Sequence, residues 1–216
     1  MFFPYKDDNP RVLFPYVTYS LIAANIIIFI VFNILSFQKT IYNPILFFGF
    51  IPNSFNLLTI FSSMFIHGGI SHIFGNMLFL YIFGDNVESI LGHTKFLLFY
   101  LLCGFGAAIA QYAINPDSTI PMVGASGAIA GVLGAYMIRF PKAKVHVLAI
   151  IIIFITTFII PAKVVLGLWF FIQLSNGLSS LGLDTTGGVA WFAHIGGFIA
   201  GVGTINYVQN YKFENS

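Results

Sequence analysis

Charged side chains are scarce in this sequence of 216 residues. Only 7% of them are Asp, Glu, Lys or Arg and 58% are hydrophobic, whereas soluble domains carry about 25% charged residues. Uncharged windows cover 12–38, 40–84, 96–116, 118–138, 145–162, 164–183 and 185–211. Several of them hold the roughly 20 apolar residues that a helix needs to cross a bilayer. The composition excludes an ordinary soluble domain and predicts an integral membrane protein whose surroundings are lipid.

Cysteine, basic clusters and metal-binding motifs are also lacking. The single cysteine, Cys103, excludes an internal disulfide framework. A net charge of +2 without a basic cluster argues against a nucleic-acid partner. The sequence has no HExxH zinc motif, and His67 and His72 are five residues apart, which does not place both on one helical face. We therefore expect no metal and no cofactor.

The apolar runs predict a single domain of six transmembrane helices. The helices are expected near 17–36, 71–90, 95–114, 124–139, 162–178 and 191–208. Residues 37–70 are apolar but broken by proline and asparagine, which favours a structured loop half-immersed at the membrane interface. The predicted fold is thus an all-α bundle over 15–208, with short cytoplasmic tails at 1–14 and 209–216.

A further apolar run at 146–160 complicates the helix count. It is separated from the fifth helix by Pro161, Ala162 and Lys163, and its length of about 15 residues is short for a full span. We expect one crossing at 162–178, with 146–160 packed shallowly or re-entrant on the inner side. A second crossing here would invert the last helix and move Lys163 outside.

The basic residues predict the orientation, because cytoplasmic loops carry an excess of Lys and Arg. With the N-terminus inside, eight of the nine fall on the cytoplasmic side: Lys6, Arg11, Lys95, Arg139, Lys142, Lys144, Lys163 and Lys212. Only Lys39 falls outside. Both termini are therefore expected in the cytoplasm.

Polar side chains interrupt the apolar runs in four places, and such residues at membrane depth are candidates for function. The four groups are His67, His72 and Asn76, then Asp85, Asn86 and Glu88, then Ser126, then His194. In the predicted topology the second, fourth and sixth helices all run from outside to inside. His72, Asn76, Ser126 and His194 would therefore lie at similar depth near the outer face.

Ser126 has the surroundings of a nucleophile. It follows Gly124 at the start of a helix, where unpaired backbone amides can hold a developing oxyanion. Small residues continue down two helices, with Gly127, Gly131 and Gly134 on the fourth and Gly197 and Gly201 on the last. Serine and glycine are also common at ordinary membrane helix contacts. His194 is expected at the same depth as Ser126, which favours a catalytic pair. Two helices with small residues along one face can approach closely enough to bring the imidazole to the serine hydroxyl.

Three strings in this order resemble the signature regions of rhomboid proteases. They are His67-Gly-Gly-Ile-Ser-His72-Ile-Phe-Gly-Asn76, Gly124-Ala-Ser126-Gly127 and Ala193-His194-Ile-Gly-Gly197-Phe-Ile-Ala-Gly201. The strings at 83–88 and 166–169 are also similar, so the resemblance runs from Pro15 to about Tyr207. It implies a six-helix intramembrane serine protease that cuts transmembrane protein substrates. With such short tails we expect it in a prokaryotic plasma membrane, its active site near the outer face.

The resemblance also implies a role for each matching residue. Ser126 would be the nucleophile, and His194 the general base and then acid. His72, Asn76 and the Ser126 amide would stabilise the oxyanion. Structural or packing positions would be His67, Glu88, Gly124, Gly127, Gly131, Gly197, Gly201 and Trp169, of which the glycines and Trp169 could also line the substrate site. No third acid is evident, because Asp85 lies about 20 Å along the helix from His72 at ~1.5 Å per residue.

Two features of the sequence depart from the pattern of the family. Ala130 stands where some family members have an aromatic ring against the histidine, so His194 must be oriented by something else. The Trp-Arg pair that many family members have in the first loop is absent.

The main alternative to a protease is a catalytically silent relative that binds client membrane proteins. An aspartyl protease would need a second membrane aspartate at the depth of Asp85, which the sequence does not provide. A transporter would need an inverted repeat and more charges at the membrane midplane.

Overall fold

The computed structural model describes residues 2–10, 12–37, 43–151, 154–181 and 188–208, and most of them are helical. The six long helices are α1 (Tyr16–Phe37), α4 (Ile70–Leu91), α5 (His93–Ile114), α6 (Ser126–Arg139), α7 (Ala162–Ser179) and α8 (Trp191–Val208). Their bounds confirm the six predicted helices to within about two residues. The tail at 209–216, with Lys212, and the orientation markers Arg11 and Lys39 lie outside the described residues.

The predicted interfacial loop contains two short helices, α2 (Pro44–Phe48) and α3 (Leu57–Ser63), with a 3-10 turn at Pro52–Ser54 between them. Two of the three asparagines that interrupt its apolar sequence begin these helices. Asn43 accepts a hydrogen bond from the Ile45 amide at 3.1 Å, and Asn56 accepts one from the Leu58 amide at 2.9 Å. The described part of the loop, residues 43–70, is structured as expected, and its immersion in the membrane stays a prediction.

The expectation of an all-α fold is wrong in one region. Strands β1 (Phe2–Asp7), β2 (Lys144–Ile151) and β3 (Phe154–Pro161) form an antiparallel sheet in the order β1-β2-β3. The run at 146–160 therefore contains two paired strands rather than a helix, with Lys144 opposite Pro161, and its depth relative to the membrane stays a prediction. Its β-branched and aromatic residues favour strands. Part of the predicted N-terminal tail, β1, pairs with β2 and extends the sheet.

Helix α6 lies at the centre of the bundle. Every residue from Gly127 to Tyr136 is buried, as expected for a helix that is surrounded by neighbours on all sides. Glycines allow α8 to approach it closely. A Cβ atom at Gly197 would overlap the Gly127 carbonyl oxygen, and one at Gly201 would overlap the Gly131 carbonyl oxygen. These contacts set the separation of the two helices that carry Ser126 and His194.

The end of the bundle away from Ser126 is tied together by a buried carboxylate. Glu88, near the end of α4, accepts hydrogen bonds from the Val17 amide at 2.9 Å and the Thr18 amide at 2.7 Å. The Thr18 hydroxyl and His93 Nδ1 also contact it, at 2.7 and 2.6 Å. Glu88 therefore satisfies the free amides at the start of α1, a structural role that agrees with the one the sequence implied.

Two of the described helices, α1 and α5, are each long and apolar enough to cross a bilayer, by length and composition, with mean hydropathies of 2.3 and 1.8. The count of six crossings therefore remains a prediction.

The basic side chains of Lys95 and Arg139 contact the C-terminal part of α8, at Val208 and Asn206. They lie at the end of the bundle opposite Ser126.

Candidate active site

Ser126 and His194 meet where α6 and α8 begin. Ser126 is the first residue of α6 and His194 is the fourth of α8. The distance from Ser126 Oγ to His194 Nε2 is 2.8 Å, which is a hydrogen bond. The sequence prediction that these two side chains come together agrees with this geometry, and the glycine contacts lower in the same helices maintain it.

Gly124 holds the turn before Ser126 against α4. Its φ of +113° is one that residues with a side chain rarely adopt, and a Cβ there would lie 2.7 Å from the His72 ring. The Gly124 amide donates to the Ser63 carbonyl at 2.9 Å. The turn that delivers Ser126 is therefore fixed between α3 and α4, and glycine is required in it.

His72 and Asn76 lie on α4 beside the pair. Asn76 is buried, and its Nδ2 has no hydrogen-bond partner among the described residues. His72 Nδ1 faces the Gly68 amide at 3.4 Å, which makes that nitrogen the acceptor and leaves Nε2 as the donor. The Nε2 edge of the ring faces Gly124. Two side-chain donors are thus directed toward the turn that carries Ser126.

One cavity of about 1160 Å³ joins these groups. Its lining includes Ser126, His194, His72, Asn76, Gly124, Gly127 and Trp169. The other glycines that the sequence singled out, Gly131, Gly197 and Gly201, are not in this lining and lie in the contact between α6 and α8. Trp169 also packs near His194, with ring centroids 5.8 Å apart.

His67 is buried behind the cavity rather than in its lining. Its ring lies 5.1 Å from that of His72 in an edge-on arrangement. Burial, with a smaller contribution from neighbouring His72, lowers the pKa of His67 to about 4. A neutral ring that packs against His72 fits the structural role suggested for it.

Sequence reasoning missed Gln173. Its Oε1 lies 2.8 Å from His194 Nδ1, and its Nε2 donates to the Trp169 carbonyl at 3.3 Å. This side chain contacts the ring nitrogen of His194 opposite the one that faces Ser126, and it can therefore orient the histidine although Ala130 provides no aromatic ring. The available signal was an amide side chain within the apolar run of the fifth helix, because a polar group at membrane depth requires a partner.

The arrangement can perform nucleophilic chemistry at a carbonyl. Among the described residues, the His194 ring hydrogen-bonds to Ser126 and Gln173, neither of which is a carboxylate. A base adjacent to a hydroxyl, with donors nearby for a developing negative charge, is the minimum that such a reaction needs. The described residues contain no group of three potential metal ligands, which leaves the expected absence of a metal untested.

Comparison with known proteins identifies the family. The model of the Rhomboid domain matches residues 54–210, a range that holds Ser126, His194, His72 and Asn76. The chain belongs to the rhomboid family, and the family is embedded in membranes. The resemblance read from the sequence is thereby confirmed.

Individual relatives cover much of the chain. "RHOMBOID-like protein 4" of Arabidopsis thaliana is 34% identical over 183 residues, which are 77% of this chain and 41% of that protein. "Presenilin-associated rhomboid-like protein, mitochondrial" of Bos taurus is 30% identical over 205 residues, 90% of this chain and 49% of that protein. "Rhomboid protease GluP" of Bacillus subtilis (strain 168) is 34% identical over 137 residues, 63% of this chain and 23% of that protein.

The chain thus spans half or less of the length of these three relatives. The Bos taurus relative is named as mitochondrial and the Arabidopsis thaliana relative comes from a plant, so these two do not support the specific expectation of a prokaryotic plasma membrane. They support the coarser statement that the protein is embedded in a membrane.

Proposed function

We propose that this protein is an intramembrane serine endopeptidase that hydrolyses peptide bonds in or near the transmembrane segments of other membrane proteins. The observation that carries the proposal is the 2.8 Å hydrogen bond between Ser126 Oγ and His194 Nε2, made inside a large cavity. Membership of the family supports it, and one relative bears the name of a protease.

The reaction begins with Ser126. His194 Nε2 accepts the hydroxyl proton while Oγ attacks the carbonyl carbon of the scissile bond. The oxyanion that forms accepts hydrogen bonds from the His72 and Asn76 side chains and from the Ser126 amide, which has no partner within the first turn of α6. His194 then donates its proton to the leaving amine, and water hydrolyses the acyl-enzyme with the same base.

The substrate must present an accessible peptide bond. A transmembrane helix shields its backbone with its own hydrogen bonds, so the segment must unwind near the end that enters the cavity. Gly124 and Gly127 are in the cavity lining beside Ser126 and present no side chains there, so we expect small residues next to the cut. The site faces the side of the membrane opposite the N-terminus, and both termini are cytoplasmic.

The test uses purified protein reconstituted with a panel of single-span substrates and mass spectrometry of the products. We expect cleavage at one or a few bonds near a membrane boundary, and no cleavage by Ser126→Ala or His194→Ala. Equal cleavage by wild type and either variant would refute the dyad. Tight binding of uncut substrate by a folded wild-type protein would favour the client-binding alternative instead.

A further inference from the structure

Gln173 makes two hydrogen bonds that orient its amide group. Its Nε2 donates to the Trp169 carbonyl one turn earlier on α7, at 3.3 Å. A carbonyl oxygen can only accept, so this contact assigns the NH₂ group to that side and leaves Oε1 facing His194. Gln173 is 6% exposed, and water is therefore a poor competitor for either bond.

The Oε1 atom selects one tautomer of His194. A neutral imidazole carries its proton on one nitrogen and accepts on the other. Because Oε1 can only accept, the proton belongs on Nδ1, which lies 2.8 Å away. Nε2 then has its lone pair directed at the Ser126 hydroxyl, 2.8 Å from it. This is the tautomer that general-base catalysis requires.

The contact acts on His194 and not on the substrate. Gln173 is not among the residues that line the cavity. The ring of Trp169, on the same helix turn, lies 5.8 Å from His194, and that of Trp191 lies 6.3 Å away and perpendicular to it. These rings restrict the imidazole plane, while the amide of Gln173 fixes which nitrogen holds the proton.

We propose that Gln173 is a positioning residue that holds His194 in the reactive tautomer and orientation, as a neutral third member behind the dyad. This inference rests on the proposed protease function. An uncharged acceptor stabilises the imidazolium less than a carboxylate does. Its loss should therefore reduce turnover by less than the ~10⁴-fold effect of a wrong tautomer in a charged triad. We expect a reduction of about 10- to 100-fold.

The kinetic test compares Gln173→Leu and Gln173→Met with a matched control, Asn25→Leu. Asn25 is a buried amide on α1 that also donates to a carbonyl four residues earlier, at 2.8 Å, but it lies away from the site. We expect kcat to fall in both Gln173 variants with KM unchanged, and wild-type kinetics in the control. The rate of fluorophosphonate labelling, which needs no substrate helix, should fall by the same factor as kcat.

A spectroscopic readout separates positioning from packing. In wild type, the ¹⁵N shifts of labelled His194 should report a proton on Nδ1, and in Gln173→Leu the two tautomers should become mixed. Wild-type kcat and an unchanged tautomer in both folded variants would overturn the inference while leaving the dyad intact. Absence of Ser126-dependent activity in wild type would instead refute the proposed function, and a mixed wild-type tautomer would refute the role of Gln173 by itself.

Discussion

In the proposed mechanism, the reactivity of Ser126 depends on hydrogen-bond geometry, because no carboxylate contacts the His194 ring among the described residues. Burial among apolar helices strengthens each polar contact and makes each unpaired polar group costly. The unpaired Nδ2 of Asn76 is such a group. Its cost is understandable if the atom gains a partner only when an oxyanion forms in the cavity.

Asn76→Ala tests this interpretation of an unpaired donor. We expect kcat to fall about 10²- to 10³-fold, the usual loss for one oxyanion donor. The melting temperature should change little, because the removed Nδ2 has no partner in the folded protein. Turnover and thermal unfolding in detergent measure the two effects. A large loss of stability with turnover retained by the folded fraction would indicate a structural amide.

The sequence identified those site residues that occur in short local strings. Ser126, His194, His72 and Asn76 were found in this way, and their roles are still predictions. Gln173 was not found, because its partner is 21 positions away and the contact depends on how α7 packs against α8. An amide side chain in an apolar run indicates that a partner exists without identifying it.

Among the elements, the contact between α6 and α8 matters most for the site. The backbones touch at two levels, where Gly197 and Gly201 face the carbonyl oxygens of Gly127 and Gly131. Any side chain there must push the helices apart. A separation of about 1 Å at the dyad would lengthen the 2.8 Å hydrogen bond beyond its useful range.

Gly201→Ala tests this contact, with Gly203→Ala on the same helix as its control. The Gly201 variant should lose about 1–3 kcal/mol of stability, as overpacking usually costs, and most of its turnover. Gly203 has open space around its Cβ position, so its variant should match wild type or be slightly more stable. Denaturation in mixed micelles gives the comparison, and equal behaviour of the two variants would contradict the proposed contact.

Prediction succeeded for the helices and failed for the sheet, for a physical reason. Long apolar runs identify helices well, because a bilayer requires their length. The run at 146–160 is too short for that signal, and although its β-branched and aromatic residues favour strands, the pairing of β2 with β1 joins residues about 140 positions apart. The pairing register is a non-local property that the apolar pattern does not encode.

For the whole molecule, the sheet is joined to the helix bundle through Asp7. This residue at the end of β1 accepts hydrogen bonds from the Tyr136 hydroxyl and, at 3.2 Å, from Asn86 Nδ2. Burial raises the pKa of the Asp7 carboxyl above its usual 3.8, although the bond from Tyr136 opposes this shift. The folded state therefore binds this proton more tightly than the unfolded state does.

The sign of the pH dependence follows from that shift. The stability contributed by Asp7 is present below its unfolded pKa and is lost as pH rises through its folded pKa. Asp7→Asn imitates the protonated form. We therefore expect the melting temperature of the variant, relative to that of wild type, to increase as pH rises from about 4 to 7. A difference in melting temperature between the two proteins that stays constant with pH would contradict this expectation.

Asp8→Asn is the control with the opposite sign. The bond to His146 at 2.8 Å lowers the pKa of the exposed Asp8 carboxyl, with smaller help from Lys6. Its contribution is present above the unfolded pKa and is lost as pH falls through the folded pKa. The melting temperature of this variant, relative to that of wild type, should therefore decrease as pH rises. The decrease should be small, because solvent screens the pair.

The most direct measurement is mass spectrometry of the folded protein after treatment with a fluorophosphonate. We expect one adduct, on Ser126, in wild type, and a strongly reduced rate of adduct formation in His194→Ala, because the hydroxyl is reactive only when Nε2 accepts its proton. Labelling of Ser126 that is equally fast without His194, or a folded wild-type protein that forms no Ser126 adduct, would contradict the dyad.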